Sequence, residues 1–272
     1  MRSSSIAREL LERKAREVLR QRQRVCTGGS ANAVHDLRVA TRRLEEALRI
    51  MQPALPAQAV ARLRRRARSI RRSLGPVRNA DVLAACLQRL EKSMTGESLE
   101  AARGHRRRAR AAARTLRGSS SGIAVRDIGG RVKAVLRGAE EGLEGTLRTH
   151  GSRMLADRQA EVQTAIRLAR KGGAKPLHEL RIALKQYRYT LELLDQAGSR
   201  PADHRLALAR SLQQRLGELR DEEQALEWVR ASEGKSVSAF ARRLSRRIET
   251  ARRRALAAVA GAARRIATSK AS

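Results

Sequence analysis

The chain has 272 residues, enough for one large domain or two small ones with a hydrophobic core. Its 60 basic residues outnumber 27 acidic residues and give a net charge of +33, which attracts polyanions such as DNA, RNA, acidic lipid surfaces or inorganic polyphosphate. Aromatic residues make up only 1%, strand formers are sparse and good helix formers dominate, so the composition disfavours a strand-rich fold and predicts an all-α protein.

Helical periodicity of the apolar residues predicts four helices in the first part of the chain. We expect them at about residues 4–25, 31–51, 57–90 and 97–117. The third should kink or break at Gly75 and Pro76, because proline lacks the backbone N–H that a helix interior needs. The segment GSSSG at 118–122 predicts a linker after the fourth helix.

The second part of the chain repeats this plan. A helical segment at about 125–170 contains several glycines that predict a division into two pieces. Further helices are expected at about 176–198, 202–229 and 237–268. The halves 1–120 and 121–272 would then each hold four helices, and the short connections favour two antiparallel four-helix bundles.

Two motifs occur in the same order in both halves. Residues 34–51 (VHDLRVATRRLEEALRIM) align without a gap with residues 177–194 (LHELRIALKQYRYTLELL), at an offset of 143. Residues 71–83 and 213–226 match around Leu-Gly-x-x-Arg at an offset of 142. Two motifs in the same order indicate an internal duplication of the chain.

Each helix with a histidine carries a cationic stripe beside an apolar seam of i, i+3, i+7 spacing. The stripes consist of His35, Arg38, Arg42, Arg43 and Arg49 in the first half, and of His178, Arg181, Lys185 and Arg188 in the second. The Leu-Gly-x-x-Arg segments add basic faces with Arg68, Arg72 and Arg78, and with Arg210 and Arg220. A guanidinium group binds phosphate oxygens through bidentate hydrogen bonds, and histidine adds a donor that can become charged near neutral pH. The pattern therefore predicts an anion-binding site.

Gly75 and Gly217 lie in the middle of these basic faces and allow two interpretations. A missing side chain would let a phosphate chain approach the backbone, or it would let two helices pack closely together. A histidine beside a helix core is also often structural, and part of the basic run at 62–72 must be a solvated face.

The sequence contains none of the common catalytic motifs, such as a Walker A loop, GxSxG or HExxH. Cys26 and Cys86 have no metal-binding spacing, and Asp36 and Glu179 are expected to pair with neighbouring bases. We therefore expect a protein that is not an enzyme and uses neither a metal nor a cofactor. The start of the chain lacks the apolar segment of a signal peptide and no apolar run could cross a bilayer, which predicts a cytoplasmic protein without a membrane span.

The segments HDLRVATRRL (35–44) and HELRIALKQYRY (178–189), each followed by Leu-Gly-x-x-Arg, resemble the CHAD family, the conserved histidine α-helical domain. The resemblance covers essentially the whole chain. It implies two four-helix bundles related by pseudo-twofold symmetry, a basic central groove that binds inorganic polyphosphate, and, in some members, association with polyphosphate granules. Glu45 and Gln186 depart from the family's pattern of basic residues.

The resemblance implies that the groove is lined by His35, Arg38, Arg42, Arg43, Arg68, Arg78, His178, Arg181, Lys185, Arg188, Arg210 and Arg220. The leading hypothesis is a non-enzymatic module that binds polyphosphate. The alternative is a nucleic-acid-binding protein of the nucleoid-associated type, which the scarcity of aromatic residues for base stacking and the lack of a helix-turn-helix signature disfavour. A polyphosphate-cleaving enzyme is a third possibility, for which the sequence offers no nucleophile or metal site.

Overall fold

The computed structural model of the chain describes residues 6–27, 30–120, 128–139, 142–198, 204–233 and 238–268. Within these ranges the chain forms ten α-helices, one short 3₁₀ helix and no β-strand, which confirms the predicted all-α class. The arrangement as two four-helix bundles stays a prediction. In the part of the chain that the structure describes, no helix is both long and apolar enough to traverse a bilayer.

The helices are numbered in chain order. They are α1 (Ile6–Cys26), α2 (Ala31–Ile50), α3 (Ala57–Ser73), α4 (Gly75–Glu91), α5 (Gly96–Ser120), α6 (Ile128–Arg137), α7 (Leu143–Ala169), α8 (Ala174–Gln196), α9 (His204–Glu233) and α10 (Ala239–Thr268). The 3₁₀ helix, Gln52–Ala54, links α2 to α3.

Two predicted helix breaks are confirmed. α3 ends at Ser73 and α4 begins at Gly75, because Pro76 cannot donate a hydrogen bond to the preceding turn. The segment 125–170 is divided between α6 and α7, and α7 follows Gly142, whose φ of 95° lies in the left-handed region that glycine tolerates.

Part of the predicted linker GSSSG at 118–122 is helical. α5 continues to Ser120, beyond the expected helix end at 117, so the first three residues of the segment are helical. Residues 121 and 122 lie outside the described residues. Small polar residues therefore did not by themselves terminate the helix.

By packing, the chain divides into two compact units. Unit 1 comprises Met1–Arg78, Thr115–Asp157 and Arg188–Asp203, and unit 2 comprises Asn79–Arg114, Arg158–Tyr187 and His204–Ser272. Each unit therefore takes segments from both sequence halves. The halves 1–120 and 121–272 follow the sequence repeat, and that division stays a prediction.

Unit 1 is built around α1 and α2, which pack against each other, while α6 packs on α1 and α3. Leu10 and Leu11 of α1 and Leu37, Leu44 and Leu48 of α2 are fully buried, and those of α2 lie on its predicted apolar seam. Burial of each leucine side chain stabilises the fold by roughly 2 kcal/mol. The seam thereby determines which face of α2 is left for its basic side chains.

Gly151 of α7 allows a close approach within unit 1. A Cβ atom at this position would lie 2.7 Å from Leu194 Cδ2 and 3.3 Å from Ile50 Cγ2, closer than carbon atoms pack without repulsion. Leu194 and Ile50 are both buried in the core. A larger residue at this position would force these core side chains to move, so packing favours glycine.

Unit 2 contains a buried aromatic cluster that joins α5, α9 and α10. The His105 ring meets Trp228 edge-on with 5.3 Å between ring centroids, and stacks on Phe240 at 5.9 Å. Arg108 Nη2 lies 2.9 Å from His105 Nδ1, and because arginine can only donate, Nδ1 is the acceptor. This histidine, which the sequence analysis did not single out, is a core residue.

Candidate anion-binding site

Helix α2 presents the first basic stripe. Ser30 caps its N-terminus, where the Ser30 hydroxyl accepts a hydrogen bond from the Ala33 amide at 3.2 Å. The predicted seam is buried along the whole helix, from Val34 to Met51. His35 is accordingly exposed and Arg38 is half-buried, one position further round the helix.

The break between α3 and α4 brings further arginines to this stripe. Arg71 lies among the last four residues of α3, whose carbonyl groups have no donor within the helix. Arg38 Nη1 donates a hydrogen bond to the Arg71 carbonyl oxygen. Arg78, in the first turn of α4, acts electrostatically on both His35 and Arg38.

We call the resulting group of side chains the first cluster. It consists of His35, Arg38, Arg42, Arg68, Arg71 and Arg78. Burial, and then repulsion from Arg42, Arg71 and Arg78, lowers the pKa of Arg38 to about 10. Partial desolvation by neighbouring residues, and then the charge of Arg78, also lowers the pKa of His35. The cluster thus concentrates positive charge in a partly desolvated place, where an anion would relieve the repulsion.

A buried carboxylate lies within reach of three arginines of α3. Glu45 is 8% exposed, and its carboxylate accepts a hydrogen bond from Arg71 Nη2. Arg64 Nε and Arg68 Nε lie 3.7 and 3.9 Å from Glu45 Oε1. The sequence analysis noted Glu45 only as a departure from the family pattern, and it did not include Arg71 in the site.

Helix α8 presents the second basic stripe in the same manner. Its seam residues Leu177, Leu180, Leu184 and Tyr187 are buried, and His178 is exposed beside them. Partial desolvation by neighbouring residues, and then the charges of Arg181 and Arg220, lowers the pKa of His178.

We call His178, Arg181, Arg220 and Arg252 the second cluster. Glu223 joins two of its members, because Arg220 Nη1 lies 3.4 Å and Arg252 Nη2 lies 3.0 Å from its carboxylate oxygens. Glu223 lies three residues after Arg220 on α9, a spacing at which opposite charges on a helix meet. Arg252 comes from α10, and no spacing rule pointed to it.

A histidine and two arginines at equivalent positions lie within electrostatic range of one another in both copies of the repeat. His35, Arg38 and Arg78 interact in unit 1, and their sequence equivalents His178, Arg181 and Arg220 interact in unit 2. The three positions come from two different motifs, separated by about 40 residues in each copy. The repeat therefore reproduces a spatial arrangement as well as a sequence.

Three predicted site residues are engaged with buried carboxylates of unit 1. Arg43 and Arg188 contact Glu192 at 3.1 and 2.7 Å, and Glu192 is 5% exposed. Arg49 contacts Glu46 at 2.9 Å, and Glu46 also accepts a hydrogen bond from the Thr190 hydroxyl at 2.9 Å. The i, i+4 spacing of Arg188 and Glu192 was a signal in the sequence for this pairing.

The other predicted residues lie nearer to solvent. Arg72 and Arg210 are exposed, and Lys185 is half-buried on α8, one turn after Arg181. Their contribution to anion binding stays a prediction.

Close helix packing does not explain the glycines of the basic faces. A Cβ atom at Gly217 would meet no described atom within 4 Å, and one at Gly75 would meet Arg38 Nη1 at 3.9 Å, an ordinary contact. The close-packing interpretation of Gly217 is therefore wrong, and that of Gly75 gains no support. At Gly75 the missing side chain instead leaves space beside a guanidinium of the first cluster.

Replacing Gly217 with alanine should leave the thermal unfolding temperature unchanged or raise it, since alanine within a helix is favoured over glycine by roughly 0.5–1 kcal/mol. Gly151→Ala is the matched control, because its Cβ would clash with Leu194. Calorimetric unfolding of both variants measures the difference. A loss of stability in Gly217→Ala as large as that in Gly151→Ala would restore the packing interpretation.

Among the described residues, neither the cysteines nor the potential metal ligands are arranged for redox or metal chemistry. Burial raises the pKa of the Cys86 thiol to about 12, so this thiol stays protonated and unreactive. Cys26 is exposed and forms no disulfide. Over the ranges that the structure describes, no group of three or more His, Cys, Asp or Glu side chains is placed to hold a metal ion.

Comparison with known proteins places this architecture in one family. Two solved structures share the fold: the CHAD domain from the plant Ricinus communis (18% identity, TM-score 0.63, covering 93% of this chain and 86% of the other) and PptA from Streptomyces chartreusis (20% identity, TM-score 0.60, covering 97% and 98%). No curated protein matches the sequence. The sequence profile of the CHAD domain matches residues 9–230, and the chain therefore belongs to the CHAD domain family.

Proposed function

We propose that the chain binds inorganic polyphosphate without cleaving it, through the first and second clusters. The observation that carries the proposal is the repeated triad of one histidine and two arginines, which forms once in each unit. Membership of the CHAD family supports it, because the family resemblance implies polyphosphate as the ligand.

The chemistry of the clusters suits a flexible polyanion. Polyphosphate carries negative charge on every phosphate unit, and guanidinium groups bind phosphate oxygens while staying charged at all physiological pH values. Displacement of condensed counterions would supply much of the affinity. That a single polyphosphate chain occupies a groove shared by the two sequence halves is a further prediction of the resemblance, as is an association with polyphosphate granules.

Nucleic acid is the competing ligand, and the aromatic residues argue against single strands. Tyr187, Tyr189 and Phe240 are buried, and Trp228 packs against His105. Binding of single strands relies on exposed aromatic faces on which bases stack. Duplex DNA, which needs only phosphate contacts, is therefore the nucleic acid to test.

Competition between the two polyanions tests the proposal. At an ionic strength of about 0.15 M, where surface charges are largely screened beyond roughly 8 Å, we expect long-chain polyphosphate to displace a labelled DNA duplex and the duplex to displace polyphosphate poorly. Equal or tighter binding of the duplex contradicts the proposal. In the same preparation, the polyphosphate chain length after incubation with Mg²⁺ should be unchanged, and a shortened chain would contradict the non-catalytic role.

A further inference from the structure

The first cluster contains a negative charge at the place where phosphate is proposed to bind. We propose that Glu45 is an internal counter-anion, which holds the guanidinium of Arg71 and neutralises Arg68, and which competes with phosphate for both. This inference rests on the proposed function and concerns the regulation of its affinity.

The geometry gives Glu45 a positioning role. Arg71 donates through Nη2 to the Glu45 carboxylate and through Nη1 to the Thr41 carbonyl oxygen at 3.4 Å, so both of its terminal nitrogens hold it in place. The backbone carbonyl of Arg71 in turn accepts the hydrogen bond from Arg38. A change at Glu45 is therefore transmitted to two arginines of the cluster.

The contacts of Arg68 differ from those of Arg71. Arg68 reaches Glu45 only at 3.9 Å, beyond hydrogen-bond distance, and its side chain is about half exposed. Attraction by charge thus holds Arg68 near the carboxylate without fixing its orientation. A phosphate group could therefore displace Glu45 from Arg68 with a smaller loss of interaction energy than from Arg71.

The charge balance of the cluster makes Glu45 a competitor. Burial of a carboxylate is tolerated only where cations offset its desolvation, and Arg64, Arg68 and Arg71 do so here. Asp36, the acid that acts on His35, pairs with Arg24 at 3.0 Å. A phosphate that binds Arg68 and Arg71 must therefore share these guanidiniums with Glu45, and this sharing lowers its affinity.

The second copy of the repeat lacks this arrangement. Arg188 stands at the position equivalent to Glu45, and Leu206 and Gln213 stand at the positions equivalent to Arg64 and Arg71. The second cluster has Glu223, which contacts Arg220 and Arg252, and the position equivalent to Glu223 in the first copy holds Asp81. Glu45 is therefore a carboxylate that the first copy has in addition, together with the arginines of α3 that surround it.

Glu45→Gln tests the inference, with Glu192→Gln as the matched control. Both changes remove one negative charge from a buried carboxylate of unit 1 that contacts arginines, but Glu192 contacts Arg43 and Arg188, outside the first cluster. Glu45→Gln should lower the unfolding temperature without added anions and bind long-chain polyphosphate roughly threefold to tenfold more tightly, with a steeper dependence on salt. Glu192→Gln should lower the unfolding temperature and change the affinity by less than about twofold.

If Glu45 had only a structural role, Glu45→Gln would lower both the stability of the protein and its affinity for polyphosphate, and that result would overturn the inference. So would an equal gain in affinity for Glu192→Gln, which would indicate diffuse charge. If Glu45→Gln does not fold, Glu45→Asp keeps the charge but retracts it by one methylene group, and it should bind more tightly than the wild-type protein by a smaller factor.

A second measurement separates this inference from the proposed function. Inorganic phosphate should raise the unfolding temperature of Glu45→Gln more than that of the wild-type protein or of Glu192→Gln, because the added anion replaces the missing carboxylate. An equal effect in all three proteins would overturn the role of Glu45, whether or not polyphosphate binds. Absence of polyphosphate binding by the wild-type protein would contradict the proposed function alone.

Discussion

Replacing Arg38 with glutamate should weaken the binding of long-chain polyphosphate by roughly 10- to 100-fold, since hydrogen bonds to charged groups contribute about 1.5–3 kcal/mol each. Arg38 lies at the centre of the first cluster, where burial and three neighbouring arginines lower its pKa to about 10. A carboxylate there would repel the ligand and would also attract Arg42 and Arg78 away from it. Isothermal titration calorimetry measures the loss.

Arg181→Glu should have a comparable effect, because Arg181 occupies the equivalent position in the second cluster. The control is Arg107→Glu, which makes the same change of charge at an exposed position of α5. Circular dichroism should show unchanged helical content in all three variants. If Arg107→Glu weakens binding as much as Arg38→Glu, the affinity arises from overall charge and the two clusters are not sites.

The affinity for polyphosphate should increase as the pH falls from about 8 to about 5.5. If binding raises the pKa of a histidine by one unit, that histidine adds roughly tenfold to the affinity at low pH. In the protein alone, partial desolvation and then arginine charges lower the pKa of His35 and of His178. A bound phosphate would raise both pKa values, so binding takes up protons. The gain in affinity is fully present below the histidine pKa of the free protein, and it is lost as the pH rises through the higher histidine pKa of the complex.

The free protein should respond to pH in the opposite direction. A histidine whose pKa is lowered by folding favours the neutral form, so its contribution to stability is lost as the pH falls below the unfolded value of about 6.5. His35 faces Asp36, Arg38, Arg42 and Arg78, and His178 faces Glu179, Arg181, Arg220 and Glu223. Carboxylates of ordinary pKa stay ionised above about pH 5.5, so a change in stability between about pH 6.5 and 5.5 reports on the histidines.

The double variant His35→Gln with His178→Gln should abolish most of the pH dependence. His150→Gln is the control, because His150 belongs to neither cluster. Its Nδ1 donates a hydrogen bond to the Ile50 carbonyl oxygen at 2.7 Å within unit 1. Affinities at four pH values, with long chains whose internal phosphates stay ionised throughout, provide the measurement. A pH dependence that survives in the double variant would contradict the role of these two histidines.

The fold class and the helix breaks could be predicted because they depend on local chemistry. The seam from Val34 to Met51 follows from helical periodicity, and the break before Gly75 follows from the missing N–H of Pro76. The end of α5 at Ser120 could not be predicted, since small polar residues tolerate a helix when nothing nearby forces the chain to turn.

The two triads could be predicted because each motif fixes a helical face, and because the repeat gave two independent examples of the same pattern. The partners of the remaining residues depend on contacts between helices that are distant in sequence. Glu45 meets Arg71 across 26 residues, and Glu223 meets Arg252 across 29. Helical phase alone could not show that Arg43 contacts Glu192, a carboxylate almost 150 residues away.

The interleaved composition of the two units has a consequence for biosynthesis. The buried residues of unit 1 include Leu10 and Leu48 near the start of the chain and Leu194 near position 200, and this unit draws residues up to Asp203. A nascent chain emerging from the ribosome cannot complete either hydrophobic core when only the first 120 residues have been translated. Its early helices must remain incompletely packed until most of the polypeptide has been made, so premature termination would leave an aggregation-prone fragment in place of a smaller working module.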